Sequence, residues 1–329
     1  MKVSNFLLYT CCLMFATTIF TGCQENYEDI EPTIAAIAVA NNNFSLLEAA
    51  AVRGGVAVVL SNKNSNDTNG SYTVFAPTDE AFGRLGFNRP EDLIVLQVPF
   101  LTSTLLYHVS NGDLLRSNIR AGVSSPSLLG PSRRFIQRGN DLYINGSKII
   151  ATDVNAANGT VHVIDKVMLA TGVDIVQSAI ALSNQNVFVV PELSFLVEAV
   201  VYAELAGALT QSPGSPSFTV FAPTDQAFRE LGQLLGIPLE KPADIRKLPK
   251  ETVAAVLLNH VIADGGRFTS EFNAGAAAPL GGVSLTLGAF VGGSLTIRGN
   301  SNNMPANILI PDVQTTNGVV HVIDRVLLP

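Results

Sequence analysis

The sequence contains few of the residues that would mark a disulfide-rich, nucleic-acid-binding or sugar-stacking protein. Its three cysteines all lie within the first 23 of 329 residues, so the rest of the chain cannot form an internal disulfide. Tryptophan is absent and only 7% of the residues are aromatic, which leaves little material for an aromatic glycan-binding platform. Only 14% are charged, the formal net charge is -7, and no basic stripe carries interleaved aromatics, so we expect no nucleic-acid partner.

Common catalytic and metal-binding motifs are missing as well. The chain has four histidines, and none of them belongs to an HExxH pair or has a cysteine ligand beside it. The sequence also lacks a Gly-x-Ser-x-Gly nucleophile turn and a phosphate-binding loop. We therefore expect no catalytic residue, no cofactor and no bound metal.

Residues 1–22 have the organisation of a secretion signal. Lys2 precedes an apolar stretch from Phe6 to Phe20, which is shorter than the roughly 20 residues that span a bilayer. The peptide FTGC, which ends at Cys23, resembles the lipobox of bacterial lipoproteins, in which the cysteine is diacylated and becomes the mature N-terminus. The alternative is an ordinary cleavage site with an incidental cysteine.

Residues 23–33 then form an acidic tether, and we predict that a lipid on Cys23 attaches it to a membrane. Gln24 is not the aspartate that usually retains such lipoproteins at the inner membrane. We therefore predict an outer-membrane lipoprotein, either on the cell surface or facing the periplasm. The acidic run resembles stretches that accompany surface display in some Gram-negative lipoproteins, and it could equally be a solvated spacer.

The rest of the chain contains two copies of one sequence pattern. The peptide YTVFAPTDEAF begins at Tyr72, and FTVFAPTDQAF begins at Phe218. Further along, LLYHV is matched by LLNHV, and DVNAANGTVHVIDKVML is matched by DVQTTNGVVHVIDRVLL. Each copy has the length of an ordinary domain. We predict a first domain over residues 34–169 and a second over residues 174–329, joined by the short connection ATGVD.

Within each copy, helix patterns precede strand patterns. FSLLEAAAVRGG predicts a helix that begins with a capping box of Ser45 and Glu48, which the second copy, with Phe195 at the Ser45 position, does not share. Asn145 and Gly146 predict a tight hairpin between two later strands. Early helices and late antiparallel strands predict an α+β fold, not a doubly wound sheet.

The repeated peptide itself predicts a structural joint between a strand and a helix. YTVFA alternates like a strand, and Thr78 is placed to cap a helix with Asp79 in its first turn, where negative charge is favourable. Thr224 and Asp225 occupy the same places in the second copy.

These ordered motifs resemble the fasciclin-like (FAS1) domain. The resemblance is carried by TVFAPTDEAF, LLYHV and NGTVHVIDKVML and by their counterparts in the second copy, and it covers nearly everything after residue 33. It implies two compact wedges of β-strands packed with helices. It also implies adhesion to an extracellular protein or polysaccharide rather than catalysis. We expect no third module.

The four histidines fall at equivalent places in the two copies, His108 with His260 and His162 with His321. Strict strand alternation puts His162 on the same face as Ile164, so we expect His162 and His321 to be hydrogen-bonded core residues. His108 and His260 follow a helical pattern, and we expect them to bond carbonyls near a helix end. The alternative is a metal or catalytic site that pairs the histidines with carboxylates of the motifs.

The resemblance also implies candidate partner-binding residues. In animal fasciclin-like proteins a Tyr-His region and Asp-Ile pairs have been implicated in integrin binding. The corresponding residues here are Tyr107, His108, Asp153, Val154, Asp312 and Val313. The family pattern is matched only in part, because the second copy has Asn259 in place of the tyrosine and both Asp pairs carry valine.

We therefore predict a lipid-anchored adhesion or binding protein of the cell envelope. One alternative is an accessory glycan-binding or envelope-structural lipoprotein, and the absence of tryptophan disfavours its glycan-binding form. Another is a periplasmic hydrolase, which should bring a histidine and an aspartate together in an open pocket.

Overall fold

Each copy of the repeat folds into a mixed β-sheet with helices packed on it. The computed structural model describes residues 31–184, 193–210 and 217–329, and residues 31–329 group as one unit. The predicted secretion signal and Cys23 lie outside the described residues. Among the helices of the described ranges, none combines the length and apolarity needed to cross a bilayer.

The first copy has five α-helices and seven strands among its described residues. The helices are α1 Ile34–Ala40, α2 Ser45–Arg53, α3 Ala57–Ser61, α4 Asp79–Gly83 and α5 Val98–Tyr107. The strands are β1 Tyr72–Pro77, β2 Val109–Asn111, β3 Ser124–Pro126, β4 Ser132–Arg138, β5 Asp141–Ile144, β6 Ser147–Ala156 and β7 Gly159–Ile164. Short 3₁₀ helices span Asn42–Phe44, Pro90–Val95 and Arg116–Asn118.

The described part of the second copy repeats this order. Strand β8, Leu169–Ala170, precedes it at the end of the first copy. The helices are α6 Ile175–Asn184, α7 Ser194–Tyr202, α8 Ala206–Leu209, α9 Asp225–Leu235 and α10 Lys250–Leu258. The strands are β9 Phe218–Pro223, β10 Val261–Ile262, β11 Gly275–Ala277, β12 Leu285–Leu287, β13 Thr296–Arg298, β14 Ala306–Gln314 and β15 Gly318–Ile323, and 3₁₀ helices span Pro242–Lys247 and Thr269–Glu271.

The strand order confirms the α+β class and adds a parallel pair to it. In the first sheet the order is β2-β1-β7-β6-β5-β4-β3, and in the second it is β10-β9-β15-β14-β13-β12-β11. β1 pairs with β7 in parallel, as β9 does with β15, while the other neighbours along each path are antiparallel. The late strands are therefore joined to a strand from the helical half of each copy.

The repeated peptide forms the joint between β1 and α4. β1 ends at Pro77, and the hydroxyl of Thr78 accepts a hydrogen bond from the backbone N–H of Ala81 at 3.3 Å. In the second copy, Thr224 accepts from the N–H of Ala227 at 3.2 Å. Each threonine thus satisfies one of the N–H groups that the start of a helix leaves unpaired.

The predicted capping box of Ser45 and Glu48 is wrong, because a distant aspartate caps this helix. The Ser45 hydroxyl donates to Asp79 at 2.6 Å, and the N–H of Leu46 donates to Asp79 at 2.8 Å. In the second copy Ser194 and the N–H of Phe195 bond Asp225 in the same way. The counterpart of Ser45 is therefore Ser194, and the predicted alignment with Phe195 was shifted by one residue.

The Asn-Gly pair before the last strand joins the first helix of each copy to the sheet. The side-chain oxygen of Asn158 accepts from the N–H of Ile34 at 2.9 Å, and Asn317 does the same for Ile175 at 2.9 Å. A Cβ on Gly159 would lie 1.9 Å from the carbonyl oxygen of Tyr72, so the backbones of β7 and β1 can approach this closely only because residue 159 is glycine.

The connection between the copies is part of the second sheet rather than a plain linker. Leu169 and Ala170 pair in parallel with Val313 and Gln314 of β14. One large apolar core also runs through both copies, between the helices and the sheets, and each copy has a smaller core on the opposite face of its sheet. The two copies therefore pack as one body, while the predicted domain limits stay a prediction.

Candidate functional site at the interface between the two copies

Tyr107 lies between the two copies rather than on an open surface. Its side chain is fully buried at the end of α5. The hydroxyl donates to the side-chain oxygen of Gln314 in the second copy and accepts from the Asn145 amide at 2.7 Å. Burial raises the pKa of Tyr107, so the phenol stays protonated. This tyrosine therefore serves contact within the chain.

Asp312 also lies at this interface, where it holds a lysine of the first copy. It stands at a bulge of β14 with a left-handed φ of 66°. Its carboxylate accepts from Lys166 Nζ at 2.9 Å and from the backbone N–H of Thr269 at 2.6 Å. Burial acts to raise the pKa of Asp312, but Lys166, His321 and the Thr269 N–H together hold this pKa below its ordinary value.

Two arginines of β4 complete the interface. Arg134 Nε donates to Glu271 at 2.9 Å, and Arg138 donates to the carbonyl oxygen of Ser270 at 3.0 Å. The guanidinium of Arg138 also lies 4.6 Å from the centre of the Phe290 ring. Charged hydrogen bonds of this kind fix orientation, so we infer that the relative placement of the copies is specific.

Asp153 occupies the equivalent bulge of the first copy and is exposed. Its φ is 57°, and its carboxylate accepts from the N–H of Arg116 at 2.7 Å, as Asp312 does from Thr269. Val154 beside it is half-buried. Of the six candidate partner-binding residues, the structure brings Tyr107, His108, Asp312 and Val313 into buried positions and leaves Asp153 and Val154 accessible.

The Fasciclin domain family model matches residues 42–170 and 191–329. The chain belongs to the fasciclin-domain family. It is 27% identical over 267 residues to transforming growth factor-beta-induced protein ig-h3 of Sus scrofa, covering 79% of this chain and 35% of that protein. It is 29% identical over 264 residues to periostin of Homo sapiens, covering 79% of this chain and 28% of that protein.

Other matches are shorter proteins or solved structures. Immunogenic protein MPB70 of Mycobacterium bovis is 32% identical over 160 residues, 48% of this chain and 79% of that protein. A solved FAS1 domain pair from the insect cell adhesion molecule Fasciclin I covers 90% of this chain and 96% of that chain, with 19% identity and a TM-score of 0.38. The chain spans about a third of the length of ig-h3 and periostin.

The four histidines of the fasciclin domains are bonded on both ring nitrogens. His162 Nε2 lies 2.7 Å from the carbonyl oxygen of Leu114, and its Nδ1 accepts from the N–H of Asp153 at 3.2 Å. His321 repeats this arrangement with the backbones of Arg267 and Asp312. His162 on β7 and His321 on β15 therefore position the bulges that carry Asp153 and Asp312.

The other two histidines join a helix end to the last segment of each fasciclin domain. His108 Nδ1 lies 2.7 Å from the carbonyl oxygen of Thr104, and its Nε2 accepts from the N–H of Met168 at 2.9 Å. His260 bonds the carbonyl oxygen of Val256 and the N–H of Leu327 in the same way. Burial lowers the pKa of both imidazoles to about 4, so they are neutral near pH 7.

The carboxylates that a His–Asp hydrolase would use are engaged elsewhere. Asp79 and Asp225 cap helices, as described above. Asp165 accepts from the N–H of Lys148 at 2.7 Å, and Asp324 accepts from the N–H of Asn307 at 2.7 Å. Within the described ranges, no group of three histidine, cysteine, aspartate or glutamate side chains is arranged to hold a metal ion.

The burial of two cationic side chains of the first fasciclin domain, Arg133 and Lys166, was not predicted from the sequence. Arg133 is fully buried, donates to the carbonyl oxygen of Tyr107 at 2.7 Å and lies 4.9 Å from the Phe75 ring centre, and burial lowers its pKa to about 10. Lys166 is buried against Asp312. The position of Lys166 within the mostly apolar run VIDKVML could have indicated its burial, whereas nothing in the sequence distinguishes Arg133 from the neighbouring Arg134.

A cleft of about 230 Å³ opens beside this ion pair, between the two fasciclin domains. Arg84, Asn145, Lys166 and Asp312 contribute to its walls. Arg84 donates to the carbonyl oxygen of Gly292 at 2.9 Å, and Lys166 is paired with Asp312. These polar groups therefore serve contact between the domains.

Proposed function

We propose that this fasciclin-domain pair is an adhesion protein of the cell envelope, held there by a lipid on Cys23. Its partner is an extracellular protein or matrix component, bound outside the outer membrane or in the periplasm. Membership of the fasciclin-domain family supports a binding function. The capping roles of Asp79 and Asp225 and the bonded histidines also support binding over a His–Asp hydrolase.

We further propose that the contact surface is the Asp153 bulge of the first domain. The observation that carries this is the second domain, in which the same bulge binds a protein segment. There Asp312 holds Lys166, and the neighbouring edge of β14 pairs with Leu169 and Ala170. A partner that presents a lysine or arginine next to an extended segment would fit Asp153 in the same way.

Adhesion of beads that carry the purified full chain tests this proposal. The beads are applied to surfaces coated with matrix proteins and with cell-surface extract. Asp153→Asn keeps an acceptor for the Arg116 N–H and tolerates the left-handed backbone, but it removes the charge. We expect this variant to lose adhesion with an unchanged melting temperature.

Glu251→Gln is the matched control, because Glu251 is an exposed acid of the second domain. It should adhere as the parent protein does. Equal adhesion of the Asp153→Asn variant would contradict the assignment of the surface. Parent beads that adhere no better than bare beads would contradict the adhesion function itself.

A further inference from the structure

The helical side of the first domain carries an exposed apolar patch, which we call the helix-face patch. It consists of Val52 on α2, Ile94 on the 3₁₀ helix Pro90–Val95 and Val98 on α5. The exposed fractions of these side chains are 66%, 71% and 44%. All three line one shallow depression of the surface, which Glu48, Arg53 and Glu91 also line, so they lie together rather than as isolated side chains.

The patch is held in place by hydrogen bonds beneath it. Arg53 donates to the carbonyl oxygens of Ile94 and Leu96, each at 3.0 Å. The Thr102 hydroxyl donates to the carbonyl oxygen of Gly54 at 2.8 Å. These bonds tie α2 to the 3₁₀ helix and to α5, so the three apolar side chains are presented on a fixed backbone.

The second domain shows that the fold does not need apolar residues here. Its matching 3₁₀ helix and α10 place Arg246 and Lys250 at the positions of Ile94 and Val98. Arg246 pairs with Glu198 at 2.7 Å, and Lys250 pairs with Glu204 at 2.7 Å. Val201 stands exposed at the place of Val52, so the second domain carries charged side chains at two of the three positions, whereas the first carries apolar side chains at all three.

The length of the tether points to what covers the patch. Glu31 lies eight positions after Cys23, so an extended tether reaches about 30 Å at most. The first described helix, α1, begins at Ile34 and packs against α2, which carries Val52. A lipid on Cys23 would hold Glu31, which accepts from the Asn155 side chain just before α1, within that distance of a bilayer.

We propose that the helix-face patch rests on the lipid bilayer and places Val52, Ile94 and Val98 in its interfacial region. This inference rests on the proposed anchor at Cys23. The anchor supplies attachment, and the patch fixes which side of the molecule faces the lipid. The charged counterpart in the second domain stays in water, so the Asp153 surface keeps one orientation relative to the membrane.

The absence of tryptophan allows a direct test with a single introduced probe. The acylated full-length protein is prepared with Ile94→Trp, or with Arg246→Trp as the matched control in the second domain. Each is bound to phosphatidylcholine vesicles with and without brominated acyl chains. We expect a blue-shifted emission and strong quenching by brominated lipid for Ile94→Trp, and neither effect for Arg246→Trp. Adding Val52→Arg to the Ile94→Trp protein should abolish the quenching.

The remaining outcomes separate this inference from the anchor. Protein that floats with the vesicles while neither tryptophan is quenched would overturn the patch and leave the anchor intact. Protein that does not float would overturn the anchor, and the patch with it. Equal quenching at both positions would exclude a preferred side. A blue shift of Ile94→Trp that grows with protein concentration in lipid-free solution would show that a second copy covers the patch.

Discussion

Removing the ammonium group of Lys166 should strongly destabilise the protein, because it leaves the Asp312 carboxylate buried without its cation. The two side chains lie 2.9 Å apart and are 7% and 10% exposed. Breaking such a pair from one side costs about 3 to 5 kcal/mol. Thr269 still donates its N–H and its hydroxyl to Asp312. We therefore expect Lys166→Met to lower the free energy of unfolding by about 3 kcal/mol at pH 7.

This cost should depend on pH with a defined sign. The pKa of Asp312 is lower in the folded protein than in the unfolded chain, where it is about 3.9. The pair therefore stabilises the fold above that unfolded value, and its contribution is lost as the pH falls through the folded pKa. The difference between Lys166→Met and the parent should shrink as the pH falls below about 3.9 and through the lower folded pKa of Asp312.

Urea unfolding followed by far-ultraviolet circular dichroism measures both effects. Asp312→Asn keeps the left-handed backbone and an acceptor for Thr269, so Lys166→Met with Asp312→Asn should cost less than the sum of the single changes. Arg325→Met is the matched control at the equivalent position of the second domain, where the side chain is half-buried. A loss below about 1 kcal/mol for Lys166→Met, or strict additivity in the double variant, would refute the reasoning.

Three further predictions address the anchor, the joint and the histidines. Cys23→Ala should release the protein from membranes, and a variant that still sediments after a carbonate wash would contradict lipidation. Thr78→Ala, which removes the cap of α4, should lower the free energy of unfolding by about 0.5 to 2 kcal/mol. Asp79→Ala should cost more, because Asp79 binds both the Ser45 hydroxyl and the Leu46 N–H at the start of α2. Equal costs of the two variants in urea unfolding would argue against the capping of α2 by Asp79. His162→Gln should lower the free energy of unfolding by about 1 to 3 kcal/mol. A stoichiometric metal that elemental analysis finds in the parent protein but not in this variant would favour a metal site instead.

Local sequence patterns predicted those parts of the fold that depend on neighbouring residues. The joint at Thr78 and the hairpin at Asn145 both follow from short peptides whose turn and cap chemistry is local. The capping of α2 was not predictable in this way, because Asp79 lies 34 residues from Ser45. The parallel pairing of β1 with β7 likewise joins segments that are far apart in the sequence.

The candidate site shows a similar division. The duplication drew attention to Asp153 and Asp312 as equivalent residues, but their sequences alone do not show that one is exposed and the other buried. That difference comes from the packing of the first domain on the second. Lys166 of the first domain covers Asp312, which lies 146 positions further along the chain.

Strand β8 limits how far the two domains can be treated as interchangeable modules. Leu169 and Ala170 come from the first copy of the sequence, yet they pair with β14 of the second. A fragment that begins at residue 174 would lack this strand and would present a bare β-edge to other chains. During synthesis, the second domain can complete its sheet only with a segment that has already left the ribosome. A boundary drawn between the two repeats therefore separates two sequences but cuts through a single β-sheet.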